Sequence, residues 1–222
     1  MGPEIRILRM SILLCAATAF EIQPTIDWLQ KRSGHAVEIL ITGVGLVPAT
    51  YALTKAVVSN PWDLVLQAGI AGTFHHSINL GEVVQVKTDT IGDTGVIENG
   101  TFQSLFKMQL IGPDEKPWQQ QKLMNPYDEL FLDTLPVVDS VSINEITTDA
   151  NRINYYLQSL GATVESMEGA ALHYVCLMES VPFLQLRSIS NHVGERNKAK
   201  WNLTGAVSNL NLQLQNFLSN RI

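Results

Sequence analysis

Cysteine is scarce in this chain: Cys15 and Cys176 are its two copies, and both lie in apolar segments. No CxxC motif or Cys/His spacing accompanies them, so the sequence carries no zinc or disulfide signature, and two reduced core thiols are the expectation. Positive charge is also in deficit. Fifteen Lys and Arg stand against 21 Asp and Glu, a formal net charge of -6, which argues against duplex nucleic acid or an anionic membrane as the main partner. A small anionic ligand stays possible, because local charge decides its binding. There is no GxGxxG or P-loop fingerprint, no repeat, no low-complexity tract and no apolar run long enough to span a bilayer. No linker divides the 222 residues, so one domain over 10–222 is expected, with 1–9 as a possible dispensable extension.

What is present alternates. Met10 to Ala19 is apolar behind Arg6 and Arg9, a pattern shared by secretory signals and buried first strands. The strand is preferred, because the downstream pattern needs one. Ile12 to Ala17 then makes a strand covered on both faces. A helix from about Glu21 follows, with Ile22, Ile26 and Leu29 inward and Gly34 ending it. Val37 to Thr42 makes a second strand, turning at Gly43-Val-Gly45 into a helix with Pro48 in its first turn and lined by Leu46, Leu53 and Val57. Asp63 to Gly69 makes a third strand, running into an expected loop, Gly69-Ile-Ala-Gly72. Strand, helix, strand, helix, strand points to an α/β protein with parallel strands. Ligands of such sheets bind beyond the carboxyl ends of the strands, where both glycine pairs fall.

The middle is less regular. Glu82 to Thr88 alternates as a half-buried strand would, and Thr90 to Asn125 reads as an irregular insertion with short strands. Pro136 to Ile143 makes another strand. Ile153, Tyr156, Leu157 and Leu160 share a helical stripe between Thr148 or Asp149 and Gly161. Pro182 to Ser190 is a strand. Leu203, Val207, Leu210, Leu214 and Phe217 mark an amphipathic last helix.

Three places combine polar groups with strand ends. Glu21 follows strand one, Glu168 stands between an apolar segment and a small-residue helix start at Gly169-Ala-Ala171, and Asn191 closes Arg187-Ser-Ile-Ser-Asn191. Each has a plain alternative. A Glu at a helix start is often a favourable dipole contact, and an Asn after a strand is often a turn residue. Glu168 is the least easily dismissed, since burying a carboxylate is costly without a partner.

Taken together and in order, Thr42-Gly-Val-Gly45, Ser166-Met-Glu-Gly-Ala-Ala171 and Arg187-Ser-Ile-Ser-Asn191 resemble the nucleoside phosphorylase and nucleoside hydrolase superfamily. The nearest branch is the one holding methylthioadenosine/S-adenosylhomocysteine nucleosidase and futalosine hydrolase. The resemblance implies a single-domain α/β fold with a central mixed, partly barrel-like sheet flanked by helices. It implies an N-glycosidase that needs no cofactor or metal, works in the cytoplasm and forms a homodimer or larger assembly. On the matching positions, Glu21 holds and activates the attacking water, Met167 lies against the ribose, Glu168 binds its hydroxyls and Asn191 bonds the purine near N7 and C6. Ser190 and Arg187 support them, and Gly69 lies at the substrate.

Those residue types suit the chemistry. Breaking an N-glycosidic bond builds positive charge on the sugar and negative charge on the base, so a carboxylate-held water and hydrogen bonds to the base address opposite ends. Met167 offers a polarizable apolar wall. Adenine-specific members carry Asp where this chain has Asn191; an amide can donate and accept, which tilts the expectation towards a 6-oxopurine. The segment Asn191 to Trp201 resembles the futalosine hydrolase version of this loop. Futalosine is an inosine derivative with a carboxylated aromatic group on its 5′ side. Arg196, Lys198 or Lys200 could meet that carboxylate, and Trp201 or Phe102 could stack on a ring; a solvated surface is the plain alternative for each cation.

A phosphorylase would need cations for phosphate, and neither glycine segment contains one, although His75 and His76 follow shortly. The resemblance therefore implies hydrolysis of futalosine to hypoxanthine and dehypoxanthine futalosine, a step of menaquinone biosynthesis. Methylthioadenosine/S-adenosylhomocysteine nucleosidase and a non-catalytic purine nucleoside-binding protein are the alternatives. His173 is expected in the core and His35 in a loop. His192 neighbours the site without ranking as a base, and Glu165 has no assigned role.

Overall fold

The strand Ile12–Ala16 (β1) is the spine of the computed structural model, which describes residues 10–32 and 36–221. All five of its residues are fully buried. Alternate side chains leave in opposite directions, so β1 feeds two cores. Ile12, Leu14 and Ala16 pack with Ile22 and Leu29 of the helix Ala19–Gln30 (α1) and with Leu210, Leu214 and Phe217 of the C-terminal helix. Leu13 and Cys15 pack with Ala49, Leu53 and Val57 and with Leu172 and Cys176 of two other helices. Full burial of each Leu or Ile contributes about 1.5–3 kcal/mol. The apolar run behind Arg9 is thus an inner strand, and no helix among the described residues is long and apolar enough to cross a membrane. The proposed extension at 1–9, Gly34 and His35 lie outside the described residues.

After β1 and α1 come Val37–Ile41 (β2), Leu46–Ser59 (α2), Leu64–Thr73 (β3) and Val83–Asp89 (β4). The insertion supplies the hairpin Gly95–Glu98 (β5) with Thr101–Ser104 (β6), and the short Leu123–Met124 (β7). Then follow Val137–Ser142 (β8), Ala150–Asn154 (α3) with a π-turn over Tyr155–Ser159, and Val164–Ser166 (β9). Gly169–Glu179 (α4), Phe183–His192 (β10) and Leu203–Ser219 (α5) complete the order. Asp149 caps α3 by accepting from the Arg152 amide at 2.9 Å, and Gly161 closes the segment at φ 65°.

The sheet is mixed. β2, β1, β3 and β10 run parallel in that order, while β4 is antiparallel to β10 and β9 to β3. β4 pairs with β8 and β8 with β9, both parallel, so β3, β10, β4, β8 and β9 close into a five-stranded ring. Ala71, Val84, Val86, Val138, Val164 and Ile189, drawn from all five ring strands, form one buried cluster. β1 and β2 extend the sheet beyond the ring, with α1 and α5 on one side and α2 and α4 on the other. The α/β class and the partly barrel-like mixed sheet agree with expectation.

Three local expectations need correction. Gly69-Ile-Ala-Gly72 is not a loop; β3 runs straight through it to Thr73. Glycines inside a strand mark close approach by other groups, and both have such neighbours. β4 is buried on both faces rather than half-buried; of its polar residues, Gln85 is satisfied inside, where its amide donates to the Leu132 and Leu135 carbonyls at 2.7 and 2.8 Å. β10 extends through Asn191 with a bulge between Ile189 and Asn191, so Asn191 is a strand residue and not a turn closer. Bulges re-aim side chains.

Candidate active site

A cavity of about 340 Å³ opens where the carboxyl ends of β1, β3, β9 and β10 meet. Glu21, Met167, Glu168, Ser190, Asn191, Arg196 and Trp201 all line it. Residues as far apart in sequence as Glu21 and Trp201 therefore converge on one space. Thr18, Phe20, Val44, Ile143, Ile146, Glu165, Ser166 and Leu203 share in the lining.

Glu21 is fixed by where α1 begins. Its Oε2 accepts from the backbone N and the hydroxyl of Thr18, each at 3.0 Å, and its Oε1 accepts from the Ile70 amide at 3.1 Å. The first pair ties the carboxylate to its own helix start; the third ties it to β3. Three converging donors hold the group in one orientation with little side-chain freedom left to lose on binding.

Glu168 stands at the N-terminus of α4, where the dipole favours an anion. Its Oε1 accepts from the Gly45 amide at 3.0 Å, which joins the two motifs in space. That amide is presented by a turn with φ 82° at Gly43 and 96° at Gly45, backbone that side-chain-bearing residues rarely adopt. Its Oε2 lies 3.6 Å from Arg187 Nη1.

Arg187 is 1% exposed and is not among the residues that line the cavity. Its Nη2 donates to Gln67 Oε1 at 2.8 Å and its Nη1 to the Ile70 carbonyl at 3.4 Å; Gln67 in turn donates to the Glu168 carbonyl at 3.4 Å. Arg187 thus braces Glu168 from behind. Gly69 makes room for this. A Cβ there would collide with Arg187 Nη1 and lie 2.9 Å from Glu21 Oε1. Gly69 is therefore a gap between two charged side chains, set behind the cavity wall rather than against a ligand.

Asn191 has a defined amide orientation. Its Nδ2 donates to the His192 carbonyl at 3.1 Å, and its Oδ1 accepts from the Ser190 hydroxyl at 2.8 Å. A backbone carbonyl can only accept, so the NH2 group faces it and keeps one hydrogen for a ligand.

Phe102 does not line this cavity. It sits on β6 in a second cavity of about 490 Å³, with the Arg152 guanidinium 3.6 Å over its ring and the Tyr155 ring 5.1 Å away. Lys198 and Lys200 do not reach the first cavity either; Lys200 pairs with Glu195 at 2.6 Å. Arg196 does, 5.8 Å from the Trp201 ring, and is the one basic residue lining it among the described residues. His192 faces His76, ring centroids 4.4 Å apart, and does not line the cavity. His173 is buried, its Nδ1 2.9 Å from the Leu123 carbonyl, and burial lowers its pKa to about 4. Both cysteines are free and buried, their thiols pushed up by desolvation. Among the described residues, no three His, Cys, Asp or Glu side chains are grouped as metal ligands would be.

Glu165 is the lining residue that sequence reasoning left without a role. It is 7% exposed, Oε2 has no hydrogen-bond partner among the described residues, and burial raises the carboxyl to about 7 against the opposing pull of Arg196. Its place depends on facing Gly72 across the ladder between β3 and β9, a register that linear spacing does not reveal.

Known proteins match at two levels. A family model described as the phosphorylase superfamily covers residues 28–219. The chain is similar to the futalosine hydrolase of Thermus thermophilus, with 31% identity over 180 residues, 80% of this chain and 79% of that one. It is also similar to the 5′-methylthioadenosine/S-adenosylhomocysteine nucleosidase of Bacillus thuringiensis, with 28% identity over 183 residues, 77% and 74% of the two chains. In fold, the solved native structure of the Helicobacter pylori futalosine hydrolase superposes with a TM-score of 0.77 at 16% identity, covering 96% and 99% of the two chains.

Proposed function

The chain belongs to the phosphorylase superfamily, and from that premise we propose that it hydrolyses the N-glycosidic bond of futalosine, releasing hypoxanthine and dehypoxanthine futalosine. The observation that carries the proposal is the convergence of Glu21, Glu168 and Asn191 on one cavity. The relative at 31% identity supports the choice of nucleoside.

In the proposed mechanism, Glu168 accepts hydrogen bonds from the ribose hydroxyls while the Gly45 amide and Arg187 keep it from rotating. Met167 packs against the sugar. Glu21 holds a water and takes its proton as the water adds to the anomeric carbon. On the other side, the free N–H of Asn191 donates to the base as negative charge develops there, a contact that strengthens in the transition state. Ser190 acts through Asn191 by holding Oδ1 at 2.8 Å. Arg196 and Trp201 flank the cavity and suit the carboxylated aromatic 5′ group.

Water is the proposed nucleophile. Arg187, the cation nearest the two carboxylates, is buried against Glu168, which leaves Arg196 alone among the described lining residues to attract phosphate. The test is base release from futalosine, inosine and methylthioadenosine, with and without phosphate. Hypoxanthine from futalosine without phosphate is the expected result. Adenine from methylthioadenosine as the faster reaction would favour the nucleosidase reading, which the relative at 28% identity keeps in view. Binding without release would favour a nucleoside-binding protein.

We also infer a cytoplasmic homodimer. Val47 and Tyr51 on α2 are 78% and 71% exposed, and Tyr174 and Met178 on the neighbouring α4 extend the same apolar character. Light scattering on the purified protein distinguishes a dimer from a monomer.

A further inference from the structure

The base end of the cavity holds a carboxyl to which the mechanism above gives no task. Glu165 lies on β9 opposite Gly72 of β3. A Cβ on Gly72 would sit 3.4 Å from Glu165 Cγ and 3.3 Å from Asn191 Nδ2. The two side chains therefore converge over the gap that this glycine leaves. Both line the cavity, and Glu165 Oε2 is buried with no partner among the described residues. A carboxyl in that state is costly to keep unless a ligand completes it.

The orientation of Asn191 says what that ligand must be. Its Oδ1 accepts from the Ser190 hydroxyl, and Nδ2 is anchored on the His192 carbonyl. The Ser190 hydroxyl, which also faces the Ala71 carbonyl at 3.2 Å, engages one lone pair of Oδ1, and Asn191 keeps one N–H for a base. A 6-oxopurine presents acceptors at N7 and O6 and a donor at N1. With Asn191 on the N7 and O6 side, the N1 donor points to the neighbouring wall, where Glu165 offers an oxygen unengaged among the described residues.

We propose that Glu165 is the acceptor for that donor, and that it, together with Asn191, makes the site select a 6-oxopurine over a 6-aminopurine; this rests on the nucleoside hydrolase reading. Asn191 donates to the O6 and N7 side, and Glu165 accepts from N1–H. Adenine has no hydrogen on N1, so an ionised Glu165 gains no hydrogen bond from it, and only the protonated carboxyl, which the Arg196 charge opposes, can donate to that nitrogen. Burial, which holds this carboxyl near 7, leaves both its forms accessible at neutral pH, and an N–H donor selects the ionised one.

The test compares Glu165→Leu and Glu165→Gln with the parent on inosine and adenosine, which carry the same sugar. Losing a hydrogen bond to a charged group corresponds to about a 10- to 100-fold fall in kcat/KM. That fall is expected for inosine in Glu165→Leu, with adenosine changed by less than about threefold and Glu165→Gln intermediate on inosine. Because Glu165 Oε2 has no hydrogen-bond partner among the described residues, Glu165→Leu is expected to melt no lower than the parent. An equal fall on both nucleosides, or an unchanged preference in a folded variant, overturns the assignment while leaving hydrolysis intact. If the parent releases no base from any purine nucleoside, the functional reading itself is overturned and this role with it.

Discussion

Adding one methyl group at Gly69 should damage turnover far more than it damages the fold. In Gly69→Ala the new Cβ would overlap Arg187 Nη1 and lie 2.9 Å from Glu21 Oε1. Neither neighbour can swing aside freely. Glu21 is held by three donors and Arg187 by Gln67, Ile70 and Glu168. Overpacking of this kind costs about 1–3 kcal/mol, or about 2–12 °C in melting temperature for a domain of this size. Both proposed catalytic carboxylates abut the displaced groups, and a shift near 1 Å in positioning groups costs about 100-fold in rate. The assay is kcat for purine release beside a thermal melt. Gly112→Ala is the control, since its Cβ would meet Glu115 Cβ at an ordinary 3.4 Å. A Gly69→Ala enzyme with parental kcat would refute the claim that this glycine spaces the two charges.

Further substitutions probe the separate roles. Glu21→Gln should lower kcat by about 100-fold or more while leaving nucleoside binding within a few-fold, because the amide cannot take the water's proton; burst and equilibrium binding measurements separate the two. Asn191→Asp should lower kcat/KM on inosine by about 10- to 100-fold and shift preference towards adenosine, since a carboxylate cannot donate to the base; an unshifted preference contradicts the role given to that amide. Asp89 is fully buried on β4, where desolvation raises its carboxyl to about 7 against the hydrogen bond from Ser142. The folded state thus keeps a proton that the unfolded chain has released, so this contribution is intact below about pH 4 and is lost as pH rises through about 7. Between pH 5 and 8 the parent should lose about 3 kcal/mol more stability than Asp89→Asn in urea titrations. Equal slopes would mean that Asp89 ionises normally. His173, lowered to about 4, acts in the opposite sense towards acid and is common to both proteins.

Much of this was visible in the residues. The apolar runs at β1 and β10 and the stripe of α5 announce buried strands and an amphipathic helix, because burial imposes period 2, no period or period 3.6 on the chain. The motif at Glu168 was visible because a carboxylate before a small-residue helix start demands a partner, here Gly45 and Arg187. The failures share a cause. Gly69 and Gly72 spell a loop when taken alone, yet they are strand residues emptied for Arg187, Glu21, Asn191 and Glu165 arriving from elsewhere. Gln85 gave β4 a half-exposed pattern although its amide is satisfied inside by Leu132 and Leu135. Phe102 lies on the hairpin against Arg152 and Tyr155, a placement that its ring alone does not announce. Glu165 needed the closed ring of strands before it could be seen beside Asn191.

The most direct test of the account is the base released from a panel of futalosine, inosine, adenosine and methylthioadenosine in phosphate-free buffer. Hypoxanthine from futalosine as the fastest product, unaffected by added phosphate, is the predicted result. Release that requires phosphate, or adenine from methylthioadenosine as the faster reaction, would contradict it.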